Sequence, residues 1–137
     1  MNYSDLSQSE KDFLIGCCLG DGTLTAVGKN KNSVMLSLRH GIQQKQYLMY
    51  KAEAVNKILD RSCKVSEYQS WDKRTEKYYQ GCAYQVTAKE VLQPIRELLY
   101  PNGEKLFTES LLNQLSFQAL ALWWMDDGNL VISKRAT

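Results

Sequence analysis

Two strings in this 137-residue chain set carboxylates beside glycine at the end of an apolar run. The first is Leu14-Ile15-Gly16-Cys17-Cys18-Leu19-Gly20-Asp21-Gly22, and the second is Leu120-Ala121-Leu122-Trp123-Trp124-Met125-Asp126-Asp127-Gly128. Paired carboxylates can hold a divalent cation, most simply Mg2+, against phosphate oxygens, where it polarises the phosphate and activates water for attack. A single Asp-Gly after a helix is ordinarily a C-terminal turn. Two matched copies are a different matter: Asp21 and Asp127 lie 106 residues apart (127 − 21), the length of a whole structural unit, which makes this an internal repeat.

The elements that position these residues follow from hydrophobic period and turn chemistry. Ser7-x-x-Glu10 and Ser9-x-x-Asp12 both have capping-box spacing, and the apolar run behind them predicts a buried helix from about Ser7 to Gly20. Gly16 and Gly20 stack on one face of that helix, which suits the close approach of another helix backbone. Ala121 is the only small residue in the second motif. Thr23–Val27 and Ser33–His40 read as strands about a polar turn, and Val34, Leu36 and Leu38 alternate with Ser33, Ser37 and Arg39. Gln43–Leu59 has helical period. Lys64–Lys73 and Tyr78–Thr87 form a second strand pair, and Thr87-x-x-Glu90 caps a third helix that Pro94 should kink or split. A short helix over Thr108–Leu115 precedes the second motif helix, which starts at Ser116 and is expected to end at Asp126-Asp127-Gly128. Two hairpins with helices on one face leave the other face bare, a shape that enters a DNA groove.

Composition narrows the class. Apolar residues at 44% and charged residues at 23% suit a folded domain, and no apolar run approaches a membrane span. Four cysteines without a CxxC pair, and one histidine, do not make a structural zinc pattern; Cys17 and Cys18 sit in an apolar run that suits buried reduced thiols. The net charge of +2 is unevenly spread: residues 1–25 carry −3, residues 26–78 carry +6 and residues 79–137 carry −1. A basic middle block favours a polyanionic partner such as nucleic acid, although a solvated surface explains charge alone equally well.

Taken together, the two motifs, the basic hairpins between them and Lys105 after the third helix resemble the LAGLIDADG homing endonucleases, specifically the single-chain, two-motif type. The resemblance covers nearly the whole chain. It implies an α+β fold, αββαββα with an antiparallel DNA-binding sheet, plus the second motif helix. Residues 1–115 would form the first unit and residues 116–137 the second motif helix, the start of a second unit for which the nine residues after Gly128 leave no room. The expected activity is site-specific, metal-dependent cleavage of double-stranded DNA, with Mg2+ or another divalent cation as cofactor. Asp21 and Asp127 would be the metal ligands, with Gly20 and Asp126 adding carbonyl oxygens. Lys105 and His40 would join the catalytic set, against the ordinary alternatives of a solvated loop lysine and a surface strand-end histidine. Lys29, Lys31, Lys73, Arg74 and Lys77 lie on turns and suit phosphates, while Ser33, Ser37, Arg39, Tyr68, Ser70, Gln80 and Gln85 are candidates for base edges. Strand phase decides those last assignments, because a slip of one residue exchanges the two faces. The missing half leaves three readings: a split enzyme completed by a partner chain, a truncated copy, or self-association. The expected setting is intracellular, in cytoplasm, nucleoid or organelle matrix, within an intron or another mobile element. An intron-splicing maturase or a non-cleaving DNA-binding protein of the same fold is the alternative function.

Overall fold

The computed structural model describes the backbone of residues 1–136 and the side chains of residues 1–126. Helix α1 spans Gln8–Leu19 and uses the first of the two capping boxes: the Ser7 hydroxyl accepts from the Glu10 N–H, and the Glu10 carboxylate accepts from the Ser7 N–H. Ser9 instead donates across to Gln118. Strands β1 (Thr23–Val27) and β2 (Ser33–Gly41) form the first hairpin, α2 follows at Lys45–Leu59, and β3 (Ser66–Asp72) and β4 (Lys77–Thr87) form the second hairpin. Helices α3 (Lys89–Leu99), α4 (Glu109–Gln114) and α5 (Phe117–Ala136) complete the chain.

The four strands make one antiparallel sheet in the order β1-β2-β4-β3. Alternation places Val34, Leu36, Leu38 and His40 of β2 on one face, in register with Cys82, Tyr84 and Val86 of β4. All seven are buried under α2 and α3. Burying each large aliphatic side chain contributes about 1.5–3 kcal/mol, which fixes the phase that the alternation predicts. The opposite face carries Thr23, Thr25, Ser33, Ser37, Arg39, Gln85, Ser66, Tyr68, Ser70 and Tyr79. Polar residues predominate on it, with Val27, Met35 and Ala83 among them.

Three local expectations change. Thr87 does not cap α3; it is held in the β2–β4 ladder opposite Met35, and the helix starts at Lys89 after Ala88. Pro94 does not split α3, which runs unbroken from Lys89 to Leu99 with Val91, Leu92, Ile95 and Leu99 buried. Helix α5 does not stop at Asp126-Asp127-Gly128 but runs through to Ala136. A helical glycine costs only about 1 kcal/mol, and Asn129 to Arg135 contain no proline to enforce a stop.

Candidate active site and nucleic-acid interface

The two motif helices pack against each other through two close approaches. A Cβ added to Gly16 would lie 2.7 Å from Leu122 Cδ1 and 3.1 Å from Ala119 Cα, and one added to Gly20 would lie 2.4 Å from Asp126 Cβ. Leu122 and Asp126 stand 106 residues after Gly16 and Gly20 (122 − 16 and 126 − 20), which is the offset between Asp21 and Asp127. The helices therefore run side by side in the register of the repeat. The small residue that meets α1 from α5 is Ala119, which is buried; Ala121 of the motif is exposed. The wide Leu122 is accommodated because position 16 carries no side chain.

This register gathers the chemistry at the C-terminal end of α1. Asp21 follows the helix directly, its side chain 37% exposed. Lys105, from the segment between α3 and α4, donates to the carbonyls of Gly20 at 3.0 Å and Gly22 at 2.9 Å. A cation on the last carbonyls of a helix is favoured by their partial negative charge. Below Asp21 lies a buried polar cluster. Asp126 Oδ1 accepts from Lys51 Nζ at 2.9 Å and from the Tyr47 hydroxyl at 2.8 Å. Lys51 Nζ also lies 2.7 Å from His40 Nε2, and His40 Nδ1 lies 3.0 Å from Gln44 Oε1 and 3.6 Å from Asp21 Oδ2. Burial, then the neighbouring Lys51 ammonium, lowers the His40 pKa below its usual value. Burial and the bond to Asp126 push the Tyr47 phenol up, so it stays a donor. Burial pushes the Cys17 and Cys18 thiols up, Cys18 to about 12, which makes them inert core residues.

The expected site residues thus separate into groups. Asp21, His40 and Lys105 stand around one point, the C-terminal end of α1. The Asp127 side chain lies outside the described residues. The Gly20 carbonyl accepts from Lys105, and Asp126 lies inside α5, which continues past it. No group of three or more His, Cys, Asp or Glu side chains suited to a metal occurs among the described residues. The donor set present is nonetheless oxygen-rich, as a hard divalent cation requires: the half-exposed Asp21 carboxylate, and the Asp126 Oδ2 atom, which is buried and without a hydrogen-bond partner. Lys51 and Tyr47 were not singled out by sequence reasoning. A lysine on the apolar stripe of an amphipathic helix, at Leu48-x-x-Lys51-Ala52, was the available signal.

A groove of about 1060 Å³ opens from this point and runs along the second hairpin, with Asp21, His40, Gln44, Tyr68, Ser70 and Gln80 on its walls. The register sets Tyr68 and Ser70 on the polar face and Gln80, opposite Gln69, on the other. Gln80 is the one base-edge candidate out of phase with Ser33, Ser37, Arg39, Tyr68, Ser70 and Gln85. Phase alternates from Tyr78 to Gln85, so residues 80 and 85 cannot share a face in an unbulged strand. The Tyr68 ring lies across Gly81, where a Cβ would sit 2.5 Å from its Cζ, and the Arg39 guanidinium stands 5.6 Å from the ring centroid. Lys29 and Lys31 are exposed on the turn between β1 and β2; Lys73, Arg74 and Lys77 are exposed at the tip of the second hairpin.

A four-stranded sheet with one open face and basic hairpin tips is mounted on two helices that pack in the register of the repeated motif. The family model described as the LAGLIDADG DNA endonuclease family matches residues 11–137, and the chain belongs to that family. The solved structure of the homing endonuclease I-WcaI bound to its DNA recognition sequence superposes with a TM-score of 0.73 at 21% identity, covering 89% of this chain and 52% of that one. The DNA endonuclease I-ChuI of Chlamydomonas applanata is 26% identical over 131 residues, which are 91% of this chain and 60% of that protein. A protein named RecA from Mycobacterium shimoidei is 27% identical over 133 residues, 95% of this chain and 28% of its own length. The chain spans a little over a quarter of the RecA proteins of this kind and about half of the I-WcaI chain.

Proposed function

We propose that this chain supplies the first DNA-gripping unit and both motif helices of a site-specific, divalent-metal-dependent DNA endonuclease. The observation that carries this reading is the common 106-residue offset in the helix pair, which brings the end of the second motif against the end of the first. In this reading Asp21 and Asp127 hold a divalent cation where the two motifs meet, with Asp126 Oδ1 committed to Lys51. The cation, when bound, polarises the scissile phosphate and lowers the pKa of attacking water. The chain's own residues do the rest. Lys105 stands beside Asp21 on the Gly20 and Gly22 carbonyls and adds positive charge where a phosphate would arrive. His40 borders the same groove and orients Asp21. Lys29, Lys31, Lys73, Arg74 and Lys77 hold phosphates, and the polar sheet face reads base edges.

Double-stranded cutting also needs a second sheet. Helix α5 and its surroundings expose Phe117 (88%) and Trp124 (64%), with Leu112, Leu120 and Met125 beside them. An apolar surface of this kind fits cover by a second αββαββα unit, on a partner chain or on further polypeptide. The experiment is selection of bound duplexes from a randomised library, followed by incubation of the selected duplex with Mg2+ or with EDTA. Nicking in Mg2+ alone is expected. Binding of an intron RNA with no cut in DNA would establish the maturase reading instead.

A further inference from the structure

Lys51 is the largest charged side chain in the core, fully buried on α2, and the reaction proposed above makes no direct use of it. Its ammonium touches one group from the second motif and one from strand β2. Asp126 Oδ1, at 2.9 Å, comes from the second motif helix; His40 Nε2, at 2.7 Å, comes from the strand beside the first. The Tyr47 ring closes the third side, with its centroid 4.3 Å from Nζ.

The hydrogen-bond chemistry of this cluster is determinate. An ammonium has donors only, so Nε2 of His40 must accept. A neutral imidazole that accepts at Nε2 carries its proton on Nδ1. Around Nδ1 stand two acceptors, Gln44 Oε1 at 3.0 Å and Asp21 Oδ2 at 3.6 Å. A donor at one nitrogen and acceptors at the other specify the same tautomer from both sides. Protonating Nε2 would set an N–H against an ammonium at 2.7 Å, with no acceptor between them.

We propose that Lys51 is a positioning residue that occupies Nε2 of His40 and thereby fixes the ring as its Nδ1–H tautomer, with that N–H on Gln44 Oε1 beside Asp21 and the groove. The same ammonium ties that ring to α5 through Asp126. The orientation of the group beside the first motif's carboxylate therefore depends on the second motif helix being docked. Asp126, Lys51 and His40 are joined by hydrogen bonds, and His40 in turn lies 3.6 Å from Asp21 after the end of α1. The catalytic consequence rests on the endonuclease reading; the tautomer does not.

His40 is the only histidine, so the 137-residue chain labelled with 15N-histidine gives one imidazole to observe. Two-bond 15N–1H correlation at pH 7.5 reads which nitrogen carries the proton. The expected wild-type pattern is a protonated Nδ1 and an unprotonated Nε2. An Nε2–H ring, a rapidly averaging ring or an imidazolium overturns the proposal. In Gln44→Leu, which removes the other bonded partner of Nδ1, the Nδ1–H form is expected to persist because Lys51 still occupies Nε2; a switch to Nε2–H overturns it. In Lys51→Met the single tautomer is expected to give way to an averaged pair, and persistence of a pure Nδ1–H ring assigns the control to another group and overturns the proposal. Should Lys51→Met not fold, the wild-type and Gln44→Leu spectra decide. A chain that shows this tautomer yet cuts no DNA refutes the endonuclease reading and leaves this one intact.

Discussion

Replacing Gly20 by alanine adds one methyl where the two motif helices meet. Its Cβ would stand 2.4 Å from Asp126 Cβ and 2.6 Å from Asp126 Oδ2. Carbon atoms pack at about 3.5–4.0 Å, so the helices must separate locally by about 1 Å or more. Asp126 Cβ is fixed to backbone, and no side-chain rotation relieves the clash. Overpacking of this kind costs about 1–3 kcal/mol. The same separation stretches the Lys51–Asp126 bond beyond its 2.9 Å, and complete loss of such a buried pair costs about 3–5 kcal/mol. The expected loss is therefore about 2–4 kcal/mol, since the pair is weakened rather than removed. Against a total stability of about 5–15 kcal/mol, this lowers the melting temperature by roughly 5–15 °C. Urea and thermal unfolding of wild type and Gly20→Ala, followed by circular dichroism, measure it. An unchanged urea midpoint and melting temperature would refute the close approach of α1 and α5 at this level.

Other outcomes follow from the same geometry. Lys51→Met and Asp126→Leu should each destabilise by about 3–5 kcal/mol because each strands a buried charge, whereas the double variant should recover most of the loss; additive urea midpoints would show that the pair is not coupled. Tyr84, buried with its hydroxyl on Asn56 Oδ1, has a pKa raised above its ordinary 10.0, chiefly by burial. The unfolded chain therefore gives up that proton first, and stability is fully present below pH 10 and falls as pH rises beyond it; Tyr84→Phe should flatten the alkaline slope of the urea midpoint. Lys73→Ala with Arg74→Ala, at an exposed hairpin tip, should lower the slope of log K against log salt by roughly 2 on a bound duplex, at about 0.9 per phosphate contact, without changing the preferred sequence.

Much of this fold is legible in the residues because its signals are local. Val34, Leu36 and Leu38 alternate with polar neighbours, so β2 announces its buried face. Thr23–Val27 appears as a strand with the expected bounds. The repeat is legible because two matched strings stand a whole unit apart, where one Asp-Gly alone would read as a turn. What stayed hidden depends on long-range contacts. The place of Lys51 on the apolar stripe of α2 marks it as buried, but its partner appears only when α5 lays Asp126 beside it, 75 residues away in sequence. Asp126 looks like a spare acid beside Asp127 until Gly20 makes room for it. The small residue that meets Gly16 is Ala119, two residues before the Ala121 that the motif suggests, because helix rotation and not the motif boundary decides which side chains face α1. Thr87 has the letters of a cap, yet strand pairing claims it first.

The most direct test of the account compares wild type, Asp21→Asn and Asp127→Asn on a selected duplex, with binding and nicking measured side by side in Mg2+ and in EDTA. The account predicts equal binding by all three proteins and Mg2+-dependent nicking by wild type only. Nicking that survives Asp21→Asn, or that proceeds in EDTA, would contradict a metal site built on the paired motif carboxylates.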